Sequence, residues 1–213
     1  MEILKNFAVL EGGDGSGTTT QLKILETHYG EEAKKMALPP LYTTFEPTDS
    51  IIGTIIRRAL KNEEKIDKIT LAHLFAADRS QHLYGPGGIV EHLDRGGLVV
   101  SDRYLPSSLV YQGITVGEEL CKRLNEGFPG PELLFFLDLD PSIAQKRMEN
   151  RSEKEIYEYL DFQVQVRERY VALMPYFQAQ GVRVEIIDAQ QSPEEIAALI
   201  WEKLQGLDAL SCR

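Results

Sequence analysis

The stretch LEGGDGSGTTTQ, Leu10 to Gln21, follows an apolar run and precedes a segment with helical periodicity. Glycines at 12, 13, 15 and 17 disfavour a regular helix or strand there and leave a tight turn between the two. Such a turn directs backbone N–H groups into a concavity backed by the positive end of the next helix, a setting for an anion such as a phosphate. The spacing follows G-x-x-x-x-G-K-[ST] with one change: Thr18 stands where the lysine belongs. On this reading Gly12, Gly13, Asp14, Gly15, Ser16, Gly17, Thr18, Thr19 and Thr20 form a nucleotide cradle, and Thr19 offers its hydroxyl to a magnesium ion bridging the phosphates. The same residues also fit an ordinary glycine-rich strand-to-helix turn.

The rest of the chain says what surrounds this loop. Apolar, β-branched runs recur at 6–11, 41–46, 97–102, 132–140 and 182–188, separated by amphipathic stretches at 18–29, 51–61, 69–84, 89–95, 143–151, 160–178 and 193–204. That alternation predicts an α/β domain with a five-stranded parallel sheet and helices on both faces. A length of 213 residues suits one domain, and no linker or repeat divides it. The Pro/Gly clusters at 38–40, 85–88 and 128–132 read as turns, and the tail from Gly206 as partly frayed. No run of about 18 apolar residues is present, so no membrane span is expected. The N-terminal apolar run enters the loop directly and is too short for a secretory signal, and Cys121 and Cys212 have neither disulfide-framework nor zinc spacing. A cytoplasmic location follows as the expectation. A net charge of −10 disfavours broad contact with nucleic-acid backbones, so local cations must hold any anionic ligand.

Three further stretches carry chemistry. In VVSDRYLPSSLVYQG, 99–113, Asp102 and Arg103 should leave the carboxyl end of a strand, where open α/β sheets bind ligands. A carboxylate there can hold magnesium or orient an acceptor oxygen, and a guanidinium can grip a phosphate. Ser108 and Gln112 fall on one face of the following helix, although a salt bridge with capping serines explains the same residues. In LAHLFAADRSQH, 71–82, Phe75 and Arg79 lie one turn apart and could stack on a planar base and read its edge; such pairs are also ordinary core plus surface. The polar segment 145–158 places Arg147, Arg151 and Lys154 between two helices, as a cationic lid or a solvated helical face, with composition favouring the second.

Taken in order, these stretches resemble the thymidylate kinases, nucleoside monophosphate kinases with the P-loop NTPase fold, over Phe7 to about Leu204. DRYLPSSLVYQG carries the likeness furthest, because its DRY-x-x-SS-x-x-YQG pattern separates that family from adenylate and guanylate relatives. FEPTDSIIG resembles the family's R-E-P segment, LFAADR its base-binding helix, and IYEYLDFQ the helix after its lid. The resemblance implies transfer of a phosphoryl group from magnesium-ATP to dTMP by a homodimer, with a lid at about 147–157. It implies that Phe75 stacks on thymine while Arg79, Ser107, Ser108 and Gln112 surround the base side, and that Asp14 lies near the sugar 3′-hydroxyl. It further implies that Arg103 and Arg57 hold the monophosphate, that Tyr157 and Gln163 close over the nucleoside, and that Arg147 and Arg151 approach ATP. Thr19 and Asp102 would hold the metal. Two positions depart from the family pattern: Thr18 replaces the loop lysine, and Phe45 stands where bacterial members carry arginine. These keep two alternatives open, a kinase of the same fold with another nucleotide or nucleoside acceptor and a degenerate nucleotide-binding module.

Overall fold

A computed structural model describes residues 1–35, 37–149, 156–157 and 159–211. Five strands, β1 (Ile3–Gly12), β2 (Leu41–Phe45), β3 (Leu98–Asp102), β4 (Gly130–Asp138) and β5 (Arg183–Asp188), form one parallel sheet in the order β2-β3-β1-β4-β5. The helices are α1 (Thr18–Lys35), α2 (Ile51–Leu60), α3 (Lys68–Tyr84), α4 (Ile89–Asp94), α5 (Leu105–Val116), α6 (Glu118–Leu124), α7 (Pro141–Met148), α8 (Leu160–Ala179), α9 (Pro193–Leu204) and α10 (Asp208–Ser211).

Side chains alternate across a strand, and the core divides accordingly. Phe7, Val9, Val99, Leu134 and Phe136 point into one cluster with residues of α2, α3, α4, α5 and α8. Their neighbours Ala8, Leu10, Val100, Leu133, Phe135 and Leu137 point into another with α1, α7, α9 and α10. The central strands therefore read as continuous apolar runs because both faces are covered, giving the expected three layers. The chain leaves β1 toward β2 on one side and later reaches β4 on the other, so the strand order reverses at β1. Ligands of open parallel sheets bind outside the carboxyl ends at such a reversal; here Gly12 ends β1 and Asp102 ends β3.

Three expectations change. Gly130 and Pro131, read as turn residues, open β4 opposite Ile3 and Leu4, and the register shifts before Ala8. A proline cannot donate a ladder hydrogen bond, which fits its place at an irregular strand end. The segment after the YQG motif contains α6, whose seven residues bury only Cys121 and so offer too little apolar periodicity to be read. The tail does not fray through residue 210: Leu207 and Leu210 are buried, and the Ala209 amide donates to Asn6 Oδ1 at 2.8 Å.

Phe136 is 1 % exposed on β4 and stacks on Tyr170 of α8 with ring centroids 5.1 Å apart. Phe136→Ala should cost about 3–5 kcal/mol in a denaturant titration, against less than about 1 kcal/mol for Ile186→Ala on exposed β5. Equal losses would show that the α8 face is not the tightly packed layer described.

Candidate functional site

The carboxyl ends of β1, β2 and β3 open into a cavity of about 770 Å³. Its floor is the glycine loop. Gly12 has no room for a side chain, since a Cβ there would come within 2.3 Å of Ser16 Oγ, and Gly17 turns the chain at φ +101° into α1. The helix starts at Thr18, so the amides of Thr18, Thr19 and Thr20 are first-turn donors without intrahelical partners and can serve an anion. Thr18 is buried, and its short neutral side chain puts no charge at the lysine position. Thr19 is exposed, and its hydroxyl donates to Asp102 Oδ2 at 2.5 Å. Parallel pairing sets this corner, with Leu10 opposite Asp102 and Phe45 on the strand beyond.

Arg103 follows in the left-handed region at φ +70°, a conformation that costs a non-glycine residue about 1 kcal/mol or more. Its amide donates to Leu10 O at 2.9 Å. The guanidinium reaches Gly12 O and Ser107 Oγ, each at 3.2 Å, pairs with Asp14 at 2.6 Å, and lies over the Tyr111 ring. Asp14 also accepts from the Tyr111 hydroxyl at 3.1 Å and from Gln163 Nε2 at 2.7 Å, while Gln163 Oε1 accepts the Asp14 amide. Gln163 Nε2 donates as well to Tyr157 O. Three expected residues thus form one contact network around Asp14.

The opposite wall comes from α2, α3 and α5. Phe75 is half-buried, packs on the core and lines the cavity. Arg79 lines it too but is 1 % exposed, because its guanidinium donates to Glu46 at 2.7 Å, Ser108 Oγ at 2.9 Å, Tyr104 O at 3.2 Å and Asn125 Oδ1. Its Nε has no hydrogen-bond partner among the described residues. Gln112 is buried and, like Tyr157, lines the cavity. Arg57 donates to Pro47 O and Thr48 O and pairs with Asp49 at 3.1 Å. Phe45 is 40 % exposed and lines the same cavity. On the far side, exposed Arg147 donates to Ala189 O at 2.9 Å beside Gln191 and Pro193. Arg151 and Lys154, the other expected lid cations, lie outside the described residues.

Sequence reasoning passed over several buried carboxylates. Glu46 joins Arg79 to His82, and Asp78 holds the turn before α2. Glu11, fully buried before the glycine loop, accepts from the Tyr104 and Ser107 amides, the Ser107 hydroxyl and the Tyr170 hydroxyl. It caps the first turn of α5 from another strand, in place of the side-chain cap that Tyr104 does not make. Apart from its place inside the quoted motif, no signal separated it from a surface glutamate.

The thymidylate kinase family profile matches residues 10–200. A Treponema pallidum protein named as a thymidylate kinase is 39% identical over 208 residues, covering 96% of this chain and 97% of the relative. Proteins of Pyrobaculum aerophilum and Methanocaldococcus jannaschii with the same family name are each 39% identical, over 200 residues (93% of this chain, 96% of the relative) and 192 residues (89% and 90%). The chain belongs to the thymidylate kinase family. It is thereby a nucleotide-binding kinase of the phosphoryl-transferring class, and the glycine loop, the DRY segment and the α3 aromatic fall inside the matched span.

Burial pushes the Glu11 carboxyl up from 4.5 to about 7, against the hydrogen bonds of Ser107, Tyr170 and the Tyr104 amide and the charge of Arg103. Between these two values the folded state holds a proton that the unfolded chain has released, so this group's stabilising contribution is complete below pH 4.5 and lost as pH rises through 7. The loss is on the order of 3 kcal/mol. Subtracting the Glu11→Gln stability curve from that of the wild type should leave a difference falling with pH across this window. A flat difference would show that Glu11 stays ionised in the fold.

Proposed function

We propose that the chain transfers the γ-phosphoryl of ATP to the monophosphate of dTMP, yielding dTDP and ADP. The observation that carries this reading is the Thr19–Asp102 pair at the helix N-terminus, facing across one cavity a wall that holds Phe75, Ser108 and Gln112. We read residues 1–213 as one catalytic domain with a lid at about 147–157, acting in the cytoplasm; among the described residues no helix is long and apolar enough to cross a membrane.

The atoms of the metal corner fit a hard cation. Asp102 Oδ1 is buried and has no hydrogen-bond partner among the described residues, while Oδ2 meets the Thr19 hydroxyl. One carboxylate and one hydroxyl suit magnesium, which keeps several waters and takes its remaining oxygens from phosphates. Thr19 and Asp102 would hold it, where it would neutralise charge between the β- and γ-phosphates.

The remaining work is positioning and charge. Amides of Gly15 and of Gly17 to Thr20 receive the donor phosphates, and Arg147 supplies a cation on the donor side where Thr18 does not. Arg103 and Arg57 grip the acceptor's phosphate from opposite sides of the cavity. Phe75 stacks on the base, with Arg79, Ser108 and Gln112 at its edge and Ser107 steadying Arg103. Asp14 meets the sugar, with Tyr157 and Gln163 closing that side. No covalent nucleophile is needed, since preorganised donors stabilise a loose transition state.

A coupled assay for ADP release, run with magnesium-ATP against a panel of nucleosides and monophosphates, tests the reaction. dTMP should give the highest kcat/KM; preference for another acceptor would assign the Phe45-bearing pocket elsewhere, and no turnover with any would leave a nucleotide-binding module. Phe75→Ala should raise the KM for dTMP by roughly 5- to 150-fold, the loss of about 1–3 kcal/mol of stacking, with the KM for ATP little changed. An unchanged KM for dTMP would remove the stacking role.

We also propose a homodimer. Ile51 and Ile55 of α2 and Ile69 of α3 are exposed, at 83%, 37% and 54%, on neighbouring helices. A two-fold pairing would cover them on both copies at once. Sedimentation equilibrium at micromolar concentration should give a mass twice 24.0 kDa; a single 24.0 kDa species would refute the pairing.

A further inference from the structure

The turn between β2 and α2 is fastened to α3 at two points: Glu46 at its start pairs with Arg79 and His82, and Thr48 and Ser50 further along meet Asp78. Asp78 is 1 % exposed, and its carboxylate accepts the Thr48 amide at 2.7 Å, the Thr48 hydroxyl at 2.6 Å and the Ser50 hydroxyl at 2.8 Å. Ser50 also caps α2, accepting the Gly53 amide at 3.1 Å. The helix sits so close on this turn that a Cβ at Gly53 would lie 1.9 Å from Thr48 O. That same Thr48 carbonyl accepts from Arg57 Nη1 at 2.6 Å, with Pro47 O at 2.8 Å. The orientation of Arg57 is therefore set by carbonyls that Asp78 holds in place. Three residues before Asp78 on the same helix stands Phe75, one turn away on a shared face.

We infer that Asp78 is a positioning residue for the acceptor: it ties the helix carrying the base wall to the turn that aims Arg57, and so sets the span between the base and phosphate subsites. The inference rests on the acceptor assignment proposed above. A buried carboxylate with three donors is rigid, and removing an acceptor from buried donors is costly. Released from Asp78, the Thr48 carbonyl can shift, and with it Arg57, while Phe75 stays seated in the core. A monophosphate can then satisfy one subsite or the other but not both well. Glycine loop, Thr19 and Asp102 lie on other elements, so ATP binding is untouched.

The test is a double-mutant cycle on the KM for dTMP, with the KM for ATP and melting temperature measured alongside. Asp78→Asn keeps the side-chain shape and the acceptor for the hydroxyls but cannot accept the Thr48 amide through its nitrogen. It should raise the KM for dTMP about tenfold and leave the KM for ATP within about twofold, and in an Arg57→Ala background it should add less than about twofold. Thr48→Val, which deletes one donor to the carboxylate together with the acceptor of the Ser50 amide and keeps Asp78, should raise the same constant about threefold and serves if the asparagine variant does not fold. A melting shift with the KM for dTMP unchanged would make Asp78 merely structural, and multiplication of the Asp78 and Arg57 effects would break the link between them. Either result overturns the inference. If the wild type prefers a different monophosphate, the acceptor assignment fails while the cycle, run with that nucleotide, still tests Asp78; if it binds none by calorimetry, both fail.

Discussion

Everything at the site depends on β1 and β3 lying side by side in one register, with Leu10 opposite Asp102. That pairing brings a loop from one end of the chain to a carboxylate about eighty positions later, close enough for Thr19 to donate to Asp102 at 2.5 Å. It also places the Arg103 amide on Leu10 O and lets Glu11 reach the first turn of α5. A left-handed arginine persists only where its surroundings over-determine it. Here Leu10 O holds its amide, Glu11 holds the next one, and Asp14, Gly12 O and Ser107 hold its head. The strain sits on the cavity wall beside the glycine loop, and the sheet carries its cost.

How much of this was legible in the chain follows from how far apart the partners lie. The glycine loop, Thr19, Asp102 and Arg103 could be read because each stands at a strand end within one short motif, and a motif at a strand end has few places to go. The sheet was legible for a similar reason, since a buried parallel strand needs an apolar run. Glu11 was not, because its partner Tyr170 is 159 residues away, and a buried glutamate is spelled like a surface one. Asp78 and Glu46 were hidden the same way. Arg79 illustrates a partial reading: its helix face was right, but its guanidinium is held by Glu46 and Asn125, which no local periodicity reveals. Pro131 was read as a turn residue and the short α6 was passed over because tertiary pairing and a single buried cysteine, not local composition, decide their state.

The site also has to solve a charge problem. Lysine is missing from the loop, arginine from position 45, and the chain as a whole carries −10. Arg103 is paired with Asp14, Arg79 with Glu46 and Arg57 with Asp49. Before any phosphate arrives, these guanidinium groups are already balanced by carboxylates, which keeps their charges from repelling one another and keeps each head in a single place.

Balance of this kind favours arginine over lysine. A guanidinium carries five N–H donors in a planar fork, and for Arg103 three contacts go to Gly12 O, Ser107 Oγ and Asp14 Oδ1. Such a head can keep its carboxylate and still offer N–H groups to an incoming oxygen, so a phosphate need not displace the partner that fixed the geometry. An ammonium in the same place has three donors on a flexible stem and no fixed direction, so holding its carboxylate leaves less for the ligand. With Thr18 in the loop, the cations that line the cavity among the described residues are guanidinium groups, Arg57, Arg79, Arg103 and Arg147, whose direction the fold controls. Buried carboxylates such as Glu11 set that direction indirectly, by accepting the amides of Tyr104 and Ser107 and so holding the backbone from which Arg103 extends.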